Sequence, residues 1–139
     1  MPVENFIDTN ILLYAYDLDS PPEKRKVAGS LIQDAWQRRG STALSVQVLL
    51  EFYVNFVRKN PTGASDASAI TLEWTLWPVI ENTTSLFQLG LVIKDRWKVS
   101  IWDAMILAAA QTSGASKLFT EDLNHGQDYG GVRAINPFL

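Results

Sequence analysis

The chain has no cysteine and a single histidine, His125, among its 139 residues. The first absence excludes disulfides, thiolate metal sites and cysteine nucleophiles. The second excludes a paired-histidine acid–base mechanism and any zinc site built mainly from imidazoles. No stretch reaches the roughly 18 consecutive apolar residues expected of a membrane span. Glu4 and Asp8 stand where a secretion signal would be basic and then apolar. A cytoplasmic protein without a membrane segment is the expectation. Two signatures of common chemistries are also missing. There is no Gly-x-Ser-x-Gly elbow for a serine hydrolase, and no Gly-x-x-x-x-Gly-Lys-Ser/Thr loop for nucleoside triphosphates.

Positive charge is not in excess. Twelve Lys/Arg stand against 15 Asp/Glu, for a net charge of −3, which does not suggest a nucleic-acid binder that works by phosphate clamping alone. The basic residues are nevertheless clumped, as Lys24-Arg25-Lys26, Arg38-Arg39, Arg58-Lys59 and Lys94/Arg96/Lys98. Solvated helix faces account for such clumps, and local distribution rather than net charge decides steering. Hydrophobic residues at 47% and charged residues at 19% are ordinary for a globular fold. With no repeat, low-complexity tract or long Pro/Gly/Ser linker, the length suits one domain over 1–139.

Short apolar runs alternate with helical stretches. The pattern predicts strands over 3–7, 42–44, 79–80, 117–120 and 132–135. Helices are expected over 10–16, from the Ser20-Pro21-Pro22-Glu23 run to Arg39, over 46–59, from Ser65 or Asp66 to just before Pro78, over 84–97 and over 101–112. Ser20 and Glu23 have the spacing of a capping box, and Ser45 and Ser100 are further cap candidates. Strands separated mostly by helices argue for an α/β fold with a parallel sheet covered on both faces.

In such a sheet, ligands bind beyond the carboxyl ends of the strands. Four acids fall at strand ends or helix starts of this kind. Asp8 follows Phe6-Ile7 directly, and would cap the next helix in any case. Glu51 belongs to a stretch, 46–57, with nine apolar side chains and three polar ones, Gln47, Glu51 and Asn55. Those three recur at i, i+4 and i+8, one narrow seam on a helix expected to be buried around most of its circumference. The alternative is a seam that faces water with Arg58 as partner. Asp103 is the only charge between Lys98 and Lys117, in the first turn of an apolar helix where Ser100-x-x-Asp103 also reads as a capping-box variant. Asp122 follows Leu118-Phe119-Thr120-Glu121, and taken alone is a turn residue.

Carboxylates brought within about 4 Å repel by roughly 4 kcal/mol per pair at an effective dielectric of 20. A set of four on one sheet edge therefore calls for a cation. Oxygen donors with little nitrogen suit Mg²⁺ or Mn²⁺, which retain water, bind substrate phosphate and support phosphodiester hydrolysis.

The runs Phe6-Ile7-Asp8-Thr9-Asn10, Leu49-Leu50-Glu51, Trp102-Asp103-Ala104-Met105-Ile106 and Leu118 to Gly126 resemble the PIN-domain nucleases, and among them the VapC-like ribonuclease toxins. The resemblance spans nearly the whole chain and implies a three-layer α/β/α sandwich around a parallel sheet of about five strands. It implies Mg²⁺- or Mn²⁺-dependent endonucleolytic cleavage of RNA. Asp8 and Asp103 would be the most direct metal ligands. Glu51 would orient a water or complete the site, and Asp122 would be a ligand or act through water. Thr9, Asn10 and Thr120 would hold those carboxylates by hydrogen bonds. The resemblance further implies a VapB-like antitoxin partner and a homodimer. Trp74 and Trp77, one turn apart, suit either the core or a partner surface. The loop from His125 to Gly131 suits either a flexible cover over substrate or a plain connection.

Three other readings fit less well. An aspartate-based phosphatase using Asp8 favours an acid two positions later, where Asn10 stands. A phospho-accepting signalling module favours adjacent acids after the first strand. A PIN fold that only holds a partner leaves the four acids without a purpose.

Overall fold

The computed structural model describes residues 2–139. Its elements run β1 (Asn5–Ile7), α1 (Thr9–Tyr16), α2 (Pro22–Gln37), β2 (Thr42–Ser45), α3 (Val46–Lys59) and α4 (Ala64–Trp74). They continue with β3 (Val79–Ile80), α5 (Thr84–Trp97), α6 (Ile101–Ser113), β4 (Lys117–Phe119) and β5 (Arg133–Ile135). The five strands form one sheet in the order β3-β2-β1-β4-β5, every pairing parallel. Connections β1-to-β2 and β2-to-β3 step outward in one direction, while β3-to-β4 returns across β1. With right-handed crossovers, α1 to α4 therefore lie on one face and α5 and α6 on the other. This is the expected three-layer sandwich.

Strands β1 and β2 are buried throughout, as a parallel sheet covered on both faces requires. Phe6, Ile7, Leu44 and Leu118 are in the core, and α6, whose Ala104, Ala108, Ala109 and Ala110 are buried, contacts β1, β2, β3 and β4. Gly114, at φ +86°, closes α6 in the left-handed conformation.

Several local expectations are corrected. Ser20 does not cap α2, which starts at Pro22 with Pro21 in the cap position and no side-chain cap. The capping box fails because the helix begins one residue too late for it. The Ser20 amide instead bonds the Asp17 carbonyl, closing a turn, and its hydroxyl is buried without a protein partner. Helix α2 also stops at Gln37, where Arg38 turns its guanidinium to Asp34 and Glu4. Helix α4 starts at Ala64 rather than Ser65 or Asp66, with Gly63 before it. The capping roles of Ser45 and Ser100 hold, each hydroxyl accepting from the amide three residues on.

Helix α3 is less enclosed than its composition suggests. Val48 and Phe52 are buried, but Leu50 and Val54 are 56% and 58% exposed. Trp74 and Trp77 are core residues, not surface ones. Trp74 packs edge-on against Phe52 and Tyr16, and Trp77 against Trp36. The loop after β4 is a tied connection. Tyr129 is buried against Trp97, its hydroxyl accepts from the Asn124 amide, and Asp128 accepts from the Gly131 amide.

Candidate metal centre

The chain reverses its direction of winding between β1 and β4, the sort of switch point that opens a crevice at the carboxyl edge of a sheet. Ile7 pairs with Phe119, and the Asp8 amide donates to the Phe119 carbonyl at 2.9 Å. That register sets Asp8 and Thr120 side by side. The Thr120 hydroxyl donates to Asp8 Oδ2 at 2.8 Å, and the Thr9 amide donates to Asp8 Oδ1 at 2.7 Å. Asp8 is thus the N-cap of α1 and a fixed wall of the crevice at once. Thr120 also accepts from the Asp122 amide at 3.0 Å, so one hydroxyl ties the segment after β4 to the carboxylate after β1.

Glu51 arrives from α3. Thr9 Oγ1 donates to its Oε1 at 2.9 Å, which links the first turn of α1 to the middle of α3. Asp103 arrives from the first turn of α6, its amide bonded to Ser100 Oγ. All four acids, with Thr9 and Asn10, line a single cavity of about 310 Å³. Gln47 and Asn55 line it as well, so the polar seam of α3 faces this crevice rather than bulk water. The water-facing alternative fails for a further reason: Arg58 bonds Asn55, not Glu51.

The electrostatics reflect burial first and crowding second. Burial pushes the Asp8 carboxyl up to about 7. The Thr120 and Thr9 donors oppose that rise, and the Asp122 and Glu51 charges add to it. Asp103 is also raised, first by burial and then by Asp122, with the Ser100 hydroxyl acting in the opposite direction. No Lys, Arg or His lines the cavity.

Two of the three expected supporting residues hold a carboxylate. Thr9 supports Asp8 and Glu51, and Thr120 supports Asp8. Asn10 makes no such bond. Its Oδ1 is buried without a partner in the protein.

The donor set suits a hard divalent cation. It offers oxygens only, includes a buried amide oxygen with no partner, and contains carboxyl groups that a positive charge would ionise. Among the described residues no three His, Cys, Asp or Glu side chains are grouped to hold an ion by themselves. An ion held there would take its remaining ligands from water or substrate. Mg²⁺ is commonly held in that way by one or two carboxylates.

The sequence matches the PIN domain family over residues 6–127. The chain belongs to the PIN domain family. Among solved structures this PIN domain resembles a toxin–antitoxin complex from Klebsiella pneumoniae, with TM-score 0.68, 19% identity, 96% of this chain and 98% of that chain covered. It also resembles Mycobacterium tuberculosis VapC20, a sarcin–ricin-loop-cleaving toxin, with TM-score 0.66, 22% identity and coverage of 86% and 90%. DNA-bound VapBC from Salmonella typhimurium gives TM-score 0.67 at 15% identity, covering 95% and 96%. At these identities the likeness is one of fold. No curated protein matches the sequence.

Sequence reasoning missed two residues at or beside the site, Glu121 and Trp102. Glu121 does not line the cavity, unlike its neighbour Asp122. It accepts from Tyr14 Oη at 2.5 Å and pairs with Lys24 at 2.7 Å. These partners are 107 and 97 residues away, so no local pattern announces them. Trp102 precedes Asp103 in the sequence. It lines the cavity, its carbonyl accepts from Gln47 Nε2 at 3.4 Å, and it is 66% exposed. A tryptophan next to the only acid of an otherwise apolar helix is the signal that the sequence offers.

Proposed function

We propose that this PIN domain is a Mg²⁺- or Mn²⁺-dependent endoribonuclease, the toxin of a toxin–antitoxin pair. The observation that carries the reading is the cavity itself: four carboxylates from four separate segments, with no cationic side chain in the wall. That arrangement is costly unless something positive enters it.

Asp8 and Asp103 hold the ion directly in this proposal, and Glu51 and Asp122 do so directly or through water. A bound Mg²⁺ or Mn²⁺ supplies a Lewis acid for the phosphodiester and a more acidic water. Thr9 and Thr120 fix the orientation of Asp8, and Thr9 holds Glu51 where it can align the attacking water. Among the structural neighbours, VapC20 is described as cleaving the sarcin–ricin loop, and other neighbours are toxin–antitoxin complexes. RNA as substrate and a VapB-like antitoxin as partner are proposed here on that analogy.

The chain acts as a homodimer in this reading. Beside the acid cavity, and sharing Gln47, Glu51 and Trp102 with it, is an apolar groove of about 500 Å³ lined also by Leu50, Phe87 and Met105. Exposed apolar surface of this kind supports a protein contact. No helix among the described residues is long and apolar enough to cross a membrane, and a cytoplasmic location is proposed.

The test is cleavage of RNA by purified protein with Mg²⁺, with Mn²⁺ and with EDTA. Cleavage that needs the ion supports the reading, and cleavage undiminished by EDTA contradicts it.

A further inference from the structure

The acid cavity poses a problem for a polyanionic substrate. An ion bound among the carboxylates neutralises the scissile phosphate, but the neighbouring phosphates still approach a wall of four acids and no base. Some cation must sit at the rim. We propose that Arg58 is that cation, a subsite for a phosphate of the RNA strand flanking the scissile bond; this rests on the nuclease reading above.

Position comes first. The seam of α3 that faces the cavity carries Gln47, Glu51 and Asn55, and Arg58 continues it at three residues past Asn55 and seven past Glu51. Residues so spaced share a helix face, and Arg58 lies about 10 Å along the axis from Glu51. Helical side chains lean toward the N-terminus, here toward the cavity. The guanidinium donates to Asn55 Oδ1. Asn55 is itself fixed, its amide donating to the Glu51 carbonyl at 2.8 Å. Cavity wall, amide and guanidinium thus form a continuous row.

Availability comes second. Three other basic residues are engaged in ion pairs. Lys24 is paired with Glu121, Arg38 with Glu4 and Asp34, and Lys59 with Asp17. Among the described residues Arg58 makes no ion pair, and it is the only Lys or Arg hydrogen-bonded to a residue of the cavity wall. A planar guanidinium with several free N–H groups suits phosphate oxygens.

The test compares wild type, Arg58→Gln and Arg58→Lys on a labelled single-stranded RNA and on bis(p-nitrophenyl) phosphate, a diester with no flanking phosphate. Arg58→Gln is expected to raise KM for the RNA roughly tenfold, the size of one lost charge-assisted contact, with kcat nearly unchanged. The slope of log kcat/KM against log salt becomes shallower by about 0.7, the value for one phosphate contact on a single strand. Arg58→Lys recovers most of the loss, and hydrolysis of the small diester does not change. An unchanged KM and salt slope overturns the proposal. So does equal loss in both variants, or a matching loss on the small diester, since either means that Arg58 acts by holding Asn55. Anisotropy binding of the same RNA with Ca²⁺ in place of Mg²⁺ separates the two readings. If wild type binds RNA in an Arg58-dependent way but cleaves nothing, the nuclease reading fails and the subsite stands. If it binds no RNA, the subsite falls.

Discussion

The Thr120 hydroxyl lies 2.8 Å from Asp8 Oδ2, joining residues 112 positions apart in the chain. The same oxygen accepts from the Asp122 amide, so two of the four acids are positioned by one hydroxyl. Thr120→Val keeps the shape and removes both bonds. A drop in RNA cleavage of roughly 10- to 100-fold is expected, the usual cost of losing a partner that orients a ligand. Thr120→Ser should retain most activity. Equal activity in Thr120→Val and wild type would show that Asp8 and Asp122 are held by other means.

Asp8 makes the metal-free protein sensitive to pH. Its carboxyl titrates at about 7 in the fold against 3.8 when unperturbed, so the folded state binds this proton more tightly than the unfolded state. Its contribution favours folding below about pH 4 and is lost as pH rises toward 7. Asp8→Asn keeps a cap-forming side chain and removes the titration. In metal-free denaturation series, the variant should gain on wild type between pH 4 and 7.5, by roughly a few kcal/mol. A difference that stays flat across that range would mean that Asp8 is not held in this environment.

Adjacent acids occupy different places. Asp122 lines the cavity, whereas Glu121 ties the segment to Tyr14 and Lys24 outside it. Asp122→Asn should abolish or nearly abolish cleavage. Glu121→Gln should lose only about 1 kcal/mol of stability, since the ion pair is partly exposed, and should keep most of the activity. Steady-state cleavage and melting curves of the two variants decide the matter. The reverse ranking would transfer the role to Glu121.

The groove beside the cavity gives a test of assembly. Leu50 and Phe87 are both at least half exposed and line it together. Replacing Phe87 with Glu should convert a dimer into a monomer in sedimentation velocity while the melting temperature changes little. A monomeric wild type would remove the basis for this assignment.

The order of elements and the four acids could be read in the sequence because each rests on local chemistry. The apolar pairs Phe6-Ile7 and Leu118-Phe119 mark β1 and β4, and the i, i+4, i+8 seam of Gln47, Glu51 and Asn55 marks the face of α3 that the cavity uses. What failed depends on the exact start of an element or on partners distant in the chain. Nothing near Ser20 tells whether α2 begins one residue later, and nothing near Trp74 tells that Phe52 and Tyr16 enclose it. The exposure of Leu50 and Val54 was hidden because composition records that a helix is apolar, not which sides have neighbours. Asn10 was expected to hold a carboxylate, yet its Oδ1 has no protein partner. Thr9 and Thr120, expected alongside it, do make such bonds.

The most direct measurement is calorimetric titration of Mn²⁺ into wild type, Asp8→Asn and Asp103→Asn at pH 8 and pH 5.5. Saturable binding by wild type at pH 8, weakened at pH 5.5 where Asp8 holds its proton, and lost in both variants is the predicted outcome. Binding of equal strength in all three proteins, or none in wild type, would contradict a cation site built from these carboxylates.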